Sequence, residues 1–342
     1  MSERKQGGAI AAAFASREGR ILARSILGTT DPGQLAEALD AFCAARLGSG
    51  VEETFFCELS VGAAFGLSLR DARRLLLKVH LPDRTRRSLE AVFRVQRHLY
   101  ARGFPCPGPI CGPLPFGRSL ATVETFIDSG TFVDAHEPEI RRQMARALAR
   151  MIELSAEVSD VEELSRGWKL PPAQGLWPIP HNALFDFEAT AAGAEWIDEI
   201  AGKARKILDN SPGRMVVGHA DWSAKHFRFK DGKVGVIYDW DSLRLDKETN
   251  LVGHTATHFP YTEYFDVPRR ASPQEARLFV EEYEIARAKP FSERERIAVS
   301  AAAVYGLAYT ARCEHAIDPG GKNLRGSFRE ALARYGEEYL GL

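Results

Sequence analysis

Apolar residues recur at three- and four-residue intervals at Leu35, Leu39, Phe42 and Cys43, which predicts a helix over residues 33–46. Asp31 stands before Pro32 as its cap. Residues 54–60 and 66–71 read as strands around the loop Val61-Gly62-Ala63-Ala64-Phe65-Gly66, and 74–80 as a third strand. A helix is expected over 83–102, with Leu89, Val92, Phe93 and Leu99 as its buried stripe, ended by the prolines of 103–110. Residues 119–130 read as a strand running into a turn at Asp128-Ser129-Gly130. Helical spacing then dominates: Met144, Leu148, Met151, Ile152 and Leu154 mark 138–158, and Trp196, Ile197, Ile200 and Leu208 mark 186–209. Between them, 165–185 holds four prolines and reads as a long loop. A strand, a loop and a hairpin fill 214–240, and the remainder is mostly helical, notably 273–287 and 292–315. Strands first and helices later make an α+β chain. Its β-rich N-terminal lobe is expected over 1–127 and its mainly helical lobe over 128–342, with a hinge near 124–131.

Composition narrows the classes. The 342 residues are too many for one simple core, and 45% apolar content is enough for two. The formal net charge of -1 argues against a nucleic-acid partner, which would call for a basic excess. The arginines at 84, 86 and 87 read as a solvated helix face. Five cysteines at scattered spacing, with no CxxC pair, predict neither a disulfide framework nor a structural zinc site. No apolar run of about 18 residues is present, so no membrane span is expected. The short alanine run near the start does not read as a secretory leader, and the expectation is a cytoplasmic protein.

The chemistry concentrates in residues 216–243, VVGHADWSAKHFRFKDGKVGVIYDWDSL. Asp231-Gly232 between alternating apolar runs predicts a two-residue hairpin turn. With that turn, Lys230 would face Lys233, Phe227 would face Val236 and His226 would face Ile237. His226 and Asp239 then share a face as diagonal neighbours, about 7–8 Å apart. Asp221 lies just before the hairpin, near its open end, so Asp221, His226 and Asp239 should converge. One carboxylate can orient or deprotonate a hydroxyl while another holds a divalent cation, the equipment phosphoryl transfer needs.

This segment resembles the aminoglycoside phosphotransferase and choline kinase family, relatives of the protein kinases. The family carries H-x-D-x-x-x-x-N, followed by a metal-binding Asp at the end of the next hairpin. Here the first motif is His219-Ala220-Asp221-Trp222-Ser223-Ala224-Lys225-His226 and the second Ile237-Tyr238-Asp239-Trp240-Asp241. The resemblance implies a two-lobed protein-kinase-like fold, with Asp221 as the catalytic Asp, Asp239 as the principal magnesium ligand and His219 as a brace. His226 stands where the family has Asn. An imidazole matches magnesium less well than an oxygen ligand does, which leaves three readings: a metal ligand tolerating manganese, a contact to phosphate, or a weakened site.

Lys78 lies in an otherwise apolar strand, where a lysine needs a partner, an anionic ligand or a path to solvent. The resemblance implies that Lys78 holds the phosphates of ATP or GTP and that Glu90 orients it. It places Gly62 and Gly66 in the loop over the phosphates, and Glu124 and Phe126 in the segment meeting the nucleobase. No GxxxxGK[ST] motif occurs, which excludes a P-loop enzyme. His254 and His258, one helical turn apart, lack the HExxH pattern of a zinc site. The expected activity is transfer of a γ-phosphate to a hydroxyl of a small molecule, an aminoglycoside, amino-alcohol or sugar. A catalytically silent nucleotide-binding pseudokinase on the same scaffold is the alternative. Acceptor and oligomeric state are not readable from the chain.

Overall fold

The computed structural model describes residues 2–166, 175–264, 270–321 and 324–341, so part of the expected proline-rich loop, 167–174, lies outside the described residues. The chain forms two compact units. The first comprises Met1–Arg97, Pro107–Asp128 and His181–Leu184; the second comprises His98–Cys106, Ser129–Pro180 and Phe185–Leu342.

The first unit opens with helices α1 (Ser2–Ala13), α2 (Arg17–Leu27) and α3 (Pro32–Leu47). The first two have no counterpart among the elements expected from the sequence. Ser16 caps α2 through its hydroxyl, which accepts from the Gly19 amide at 2.8 Å, and Asp31 caps α3 at the Gly33 and Gln34 amides, as its sequence signature implied. Strands β1 (Val51–Leu59), β2 (Ala63–Leu69) and β3 (Arg74–Val79), helix α4 (Arg86–Ala101), and strands β4 (Pro109–Phe116) and β5 (Ser119–Thr125) come next. The strands form one antiparallel sheet in the order β1-β2-β3-β5-β4.

Alternation along the strands sorts the two faces of this sheet. Phe65, Leu67, Leu69, Leu75, Leu77, Val79, Ala121 and Val123 form one apolar cluster with Ile10, Leu22, Ile26, Leu35, Leu39 and Phe42 of α1–α3 and with Phe14 of the turn after α1. The opposite face carries Leu76 and Lys78, paired across to Glu124 and Thr122 of β5. Helix α4 lies on this face. Its Gln96 donates to Glu124 Oε2 at 2.7 Å and to the Pro107 carbonyl at 3.0 Å. Leu89, Val92, Phe93 and Leu99 are buried, as the spacing predicted.

The second unit is mainly helical. It contains α5 (Pro138–Ser155), the short strand β6 (Ser165–Arg166), α6 (Glu195–Asp209), β7 (Met215–His219), the hairpin β8 (Phe227–Lys230) and β9 (Lys233–Ile237), and β10 (Leu243–Lys247). Helices α7 (Glu248–His258), α8 (Pro273–Ala286), α9 (Glu293–Ile317) and α10 (Phe328–Tyr335) complete it. Residues 186–194, read as the first turns of a helix, precede α6. Helix α9 is buried on almost every side from Ala298 to Ala316, as a central helix must be. It approaches α7 closely because both carry a glycine there. A Cβ on Gly253 would lie 2.2 Å from the Val299 carbonyl oxygen, and one on Gly306 2.3 Å from His254 Nδ1. Strand β10 pairs antiparallel with β7 and parallel with β6, which sets Leu243 opposite His219.

The α+β class, with strands gathered in the first unit and helices in the second, is borne out. No helix among the described residues is long and apolar enough to cross a membrane. All five cysteines are free thiols.

Phe65 is fully buried at the centre of the first cluster. Replacing it with Ala should destabilise the first unit by about 3–5 kcal/mol. A urea titration followed by circular dichroism checks this, and a loss below about 1 kcal/mol would contradict the central placement of Phe65.

Candidate active site

The site is assembled in the second unit by two short loops, one leaving β7 and one leaving β9. Strand β7 buries Val216 and Val217 and ends on His219, which is 1% exposed. The next loop is pinned on both sides. The Ala220 amide donates to the Ser242 carbonyl at 3.0 Å, and the buried Trp222 indole donates to the Met144 carbonyl at 3.0 Å. A single 3-10 turn, Ala224–His226, is held by the Phe259 and Tyr261 carbonyls, which accept from the Ala224 and Lys225 amides. With the backbone so fixed, the Asp221, Lys225 and His226 side chains remain partly exposed, at 35%, 20% and 17%.

The hairpin turn at Asp231-Gly232 forms, with positive φ at both residues, 52° and 72°. Lys230 faces Lys233 as expected. The rest of the expected register is corrected. Gly235 bulges out, so Phe227 faces Ile237 rather than Val236, and the His226 carbonyl accepts from the Tyr238 amide. The bulge sets His226 opposite Tyr238, one residue rather than two from Asp239, and the side chains meet at the open end of the hairpin. His226 Nε2 is 3.8 Å from Asp239 Oδ2 and 3.0 Å from Asp221 Oδ2.

Asp239 has a left-handed backbone, φ 70° and ψ 44°, which Asp tolerates better than most residues but which is still strained. The next three residues hold this strain in place. Trp240 is fully buried, and its indole N–H donates to the Ile237 carbonyl at 2.7 Å. The Ser242 amide donates to the Asp239 carbonyl, and the Ser242 hydroxyl donates to Asp239 Oδ2. The carboxylate is thereby aimed at His226.

His219 joins the two loops. Its Nδ1 accepts from the Asp221 amide at 3.2 Å, so Nε2 carries the proton and donates to the Tyr238 carbonyl at 3.1 Å. Burial holds its pKa at about 4, which keeps this neutral tautomer at physiological pH, although the neighbouring carboxylates pull the other way. Trp222 and Trp240 wall in the ring, with centroids 5.5 and 5.6 Å away.

The charge around Asp221 is the second feature. Its Oδ2 lies 2.8 Å from Lys225 Nζ as well as 3.0 Å from His226 Nε2, and its Oδ1 accepts from the Ser223 hydroxyl at 2.8 Å. Desolvation pushes the Asp221 pKa up, but Lys225 and then His226 outweigh it and hold the carboxyl well below the usual range. Desolvation likewise opposes the charge on Lys225, and Asp221 reverses that and raises it. Since Asp221 keeps a third of its surface in water, the pair is worth less in stability than its closeness suggests. Sequence reasoning passed over Lys225 because the motif template leaves that position open. The spacing of four from Asp221 was the available signal.

One ligand atom each from Asp221, His226 and Asp239 lie within 4.8 Å of one another, the convergence the sequence predicted. No other such cluster of three or more metal-ligating groups occurs among the described residues. His254 and His258 pack against each other on α7. Their rings stack at 4.0 Å, and His258 Nε2 pairs with the Thr310 hydroxyl at 2.9 Å.

The residues expected to meet the nucleotide, Lys78, Glu90, Gly62, Gly66, Glu124 and Phe126, all lie in the first unit. Lys78 is nearly buried on the face covered by α4. Glu90, expected to orient it, is exposed and forms no ion pair among the described residues. The phase of α4 explains this, because the stripe of Leu89, Val92, Phe93 and Leu99 turns Glu90 to water and Gln96 inward. The buried acid on the Lys78 face is Glu124, with its backbone inside the ladder between Leu76 and Pro109. Gly62 lies in the turn between β1 and β2, but Gly66 is in the middle of β2 rather than in that turn. A Cβ there would lie 2.5 Å from the Phe55 ring, so Gly66 serves packing. Phe126 packs edge-to-face on Phe55 at 4.9 Å beneath the Arg74 guanidinium, and its amide donates to the Arg74 carbonyl.

A family model described as the phosphotransferase enzyme family matches residues 47–249, more than half of the sequence. The chain belongs to this family. That membership bears out the aminoglycoside phosphotransferase and choline kinase resemblance of residues 216–243 and the small-molecule kinase class it implied. No curated protein matches the sequence. Solved structures share the fold at low identity. An amicoumacin kinase in complex with AMP-PNP, Ca2+ and Ami has a TM-score of 0.62 at 10% identity, over 90% of this chain and 95% of that one. A putative aminoglycoside phosphotransferase from Ralstonia eutropha JMP134 has a TM-score of 0.54 at 14% identity, over 89% and 98%. A spectinomycin phosphotransferase in complex with ADP and spectinomycin has a TM-score of 0.52 at 13% identity, over 89% and 93%.

The stacked histidines generate a pH prediction. Burial lowers the His258 pKa from 6.5 to about 4, so this ring is neutral when folded and takes a proton first in the unfolded chain. The unfolded state binds more protons between those values, so stability is lost as pH falls from 6.5 towards 4 and levels off below. The contribution is on the order of 3 kcal/mol. Thermal unfolding of His258→Gln across this range should show a flatter pH dependence than the parent. An unchanged slope would mean that His258 titrates normally.

Proposed function

We propose that this phosphotransferase moves the γ-phosphate of ATP or GTP to a hydroxyl of a small molecule. The observation that carries the reading is the convergence of Asp221, His226 and Asp239 within 4.8 Å, beside a carboxylate oxygen, Asp221 Oδ1, with a single hydrogen-bond donor on it.

The donor set fits a divalent cation. Two carboxylates suit magnesium, and the added imidazole makes manganese acceptable. Asp239 and His226 are the residues that would hold it, with Asp221 beside them. When bound, the ion supplies positive charge that neutralises phosphate oxygens. Asp221 orients the acceptor hydroxyl through Oδ1. Being held well below the usual carboxylate range, it is a weak base, so it takes the proton late, as suits a loose transition state. His219 holds the Asp221 amide and the Tyr238 carbonyl in register and contributes no charge. In the first unit, Lys78 is the proposed cation for the nucleotide phosphates, with Glu124 and Gln96 on the same face and Gly62 in the turn beyond. The acceptor is an amino-alcohol, sugar or aminoglycoside-like compound, in keeping with an amicoumacin kinase and a spectinomycin phosphotransferase among the structures of this fold. A cytoplasmic site of action, where such nucleotides are abundant, belongs to the same proposal.

One observation favours a second reading, nucleotide binding without transfer. His226 and Lys225 already converge on Asp221 Oδ2, which a functional metal site would have to share. Activity separates the two. Asp221→Ala and Asp239→Ala should each lower nucleotide hydrolysis and acceptor phosphorylation by about 10²–10⁴-fold. Full activity in both variants would exclude the transfer mechanism. Wild-type protein that binds nucleotide equally with and without metal, and turns over no acceptor in a broad panel, would establish the silent reading. His226→Asn should raise activity with magnesium relative to manganese. An unchanged ratio of the two would remove His226 from the metal.

A further inference from the structure

Lys225 is held close to where the reaction would take place, and the family motif assigns it nothing. Its Nζ lies 2.8 Å from Asp221 Oδ2 and 5.2 Å from the centre of the Tyr261 ring. Its backbone is anchored by the Tyr261 carbonyl at 3.0 Å. Among the described residues the ammonium meets one oxygen-bearing side chain, Asp221, while carrying three N–H donors. The side chain is only 20% exposed, so the remaining donors are not freely solvated.

Counting acceptor sites on Asp221 defines what lies beside this ammonium. Oδ2 is taken by His226 and Lys225, and Oδ1 by Ser223 alone. A carboxylate offers about four lone-pair sites, so the open one is on Oδ1. An acceptor hydroxyl hydrogen-bonded to Asp221 therefore sits on the same carboxylate as Lys225. Hydrogen-bond reach then keeps its oxygen within about 6–8 Å of Nζ. Once that oxygen attacks, the oxygens of the transferring phosphoryl group extend into the same space.

We propose that Lys225 is a catalytic residue that leaves Asp221 Oδ2 to donate a hydrogen bond to a non-bridging oxygen of the phosphoryl group in flight. The proposal rests on the phosphotransferase reading above. In the step, the acceptor oxygen forms a bond to the γ-phosphorus while the bond from phosphorus to the β–γ bridging oxygen breaks. The electron pair of that bond leaves with the nucleoside diphosphate, and the hydroxyl proton passes to Asp221 Oδ1 and then to solvent. Lys225 keeps its proton throughout. It contributes a fixed positive charge where the three equatorial oxygens spread their negative charge, and its departure frees Oδ2. Tyr261 gives the ammonium an aromatic face along which to move without full desolvation.

ADP with aluminium fluoride and magnesium, which mimics the planar phosphoryl group, tests this without an identified acceptor. Wild type, Lys225→Met and Lys225→Arg would be compared for affinity to ADP alone and to ADP with aluminium fluoride, for basal nucleotide hydrolysis and for thermal midpoint. Lys225→Met should bind ADP within about twofold of wild type, lose about 10²-fold in affinity for the fluoride complex and lose about 10²–10³-fold in hydrolysis. Lys225→Arg should recover part of both losses. An active wild type whose Lys225→Met variant binds the fluoride complex within threefold of normal overturns the role of Lys225 and leaves the phosphotransferase reading standing. Equal weakening for ADP and for the fluoride complex, with a lowered thermal midpoint, assigns Lys225 a structural role instead. A wild type that neither hydrolyses nucleotide nor tightens on ADP with fluoride defeats the phosphotransferase reading, and this role with it.

Discussion

The neutral, buried imidazole of His219 is the contact on which the site depends. One nitrogen accepts from the Asp221 amide and the other donates to the Tyr238 carbonyl, one residue before Asp239. Two loops that leave different strands are thus tied through one ring. A charged imidazole would have two donors and could not accept from the Asp221 amide, so the low pKa caused by burial is part of the design. Trp222 and Trp240 exclude water from the ring, and each indole is bonded to a backbone carbonyl of its own. The spacing between the two carboxylates derives from this neutral core.

Around that core the polar groups carry opposite burdens. Asp239 takes up backbone strain, since its left-handed conformation turns the chain sharply between a strand and a 3-10 turn. Asp221 takes up charge, because an ammonium, an imidazole and a hydroxyl converge on it. A carboxylate so surrounded is a poor base and a good anchor. This suits a reaction in which positioning and charge neutralisation outweigh proton abstraction. His226 stands between the two carboxylates at distances that an asparagine amide would span differently, so its identity bears on which cation the cluster accepts.

The sequence was legible where a local rule was stringent. Asp231-Gly232 specified a tight turn because both residues must take positive φ, and the turn formed. The strand register failed a few residues later, where Gly235 bulged out, since a glycine in an exposed strand leaves pairing weakly specified. Glu90 failed for a related reason. Its spacing from Lys78 fitted the family, but the phase of the helix is set by which residues the sheet buries, and that put Gln96 inward. The first helix, rich in alanine and glycine, carries little periodic contrast and became recognisable only with Ile10 packed on the sheet, whereas α2 was legible in its Ser16 cap, its Leu22–Ile26 spacing and its closing Gly28.

By itself, the sequence determined the α+β order of elements, the Asp31 cap, the hairpin turn and the identity of the Asp221–His226–Asp239 set. Each of these depends on residue type and near neighbours along the chain. Tertiary structure alone decided the distances within that set, the neutral state of His219, the ion pair that brings Lys225 onto Asp221 and the placement of Glu124 on the Lys78 face. Those depend on burial and on partners far away in sequence, such as Met144, Phe259 and Tyr261, whose carbonyls hold the loop. A motif names the atoms that can react, and packing sets how far apart they stand and what charge they carry.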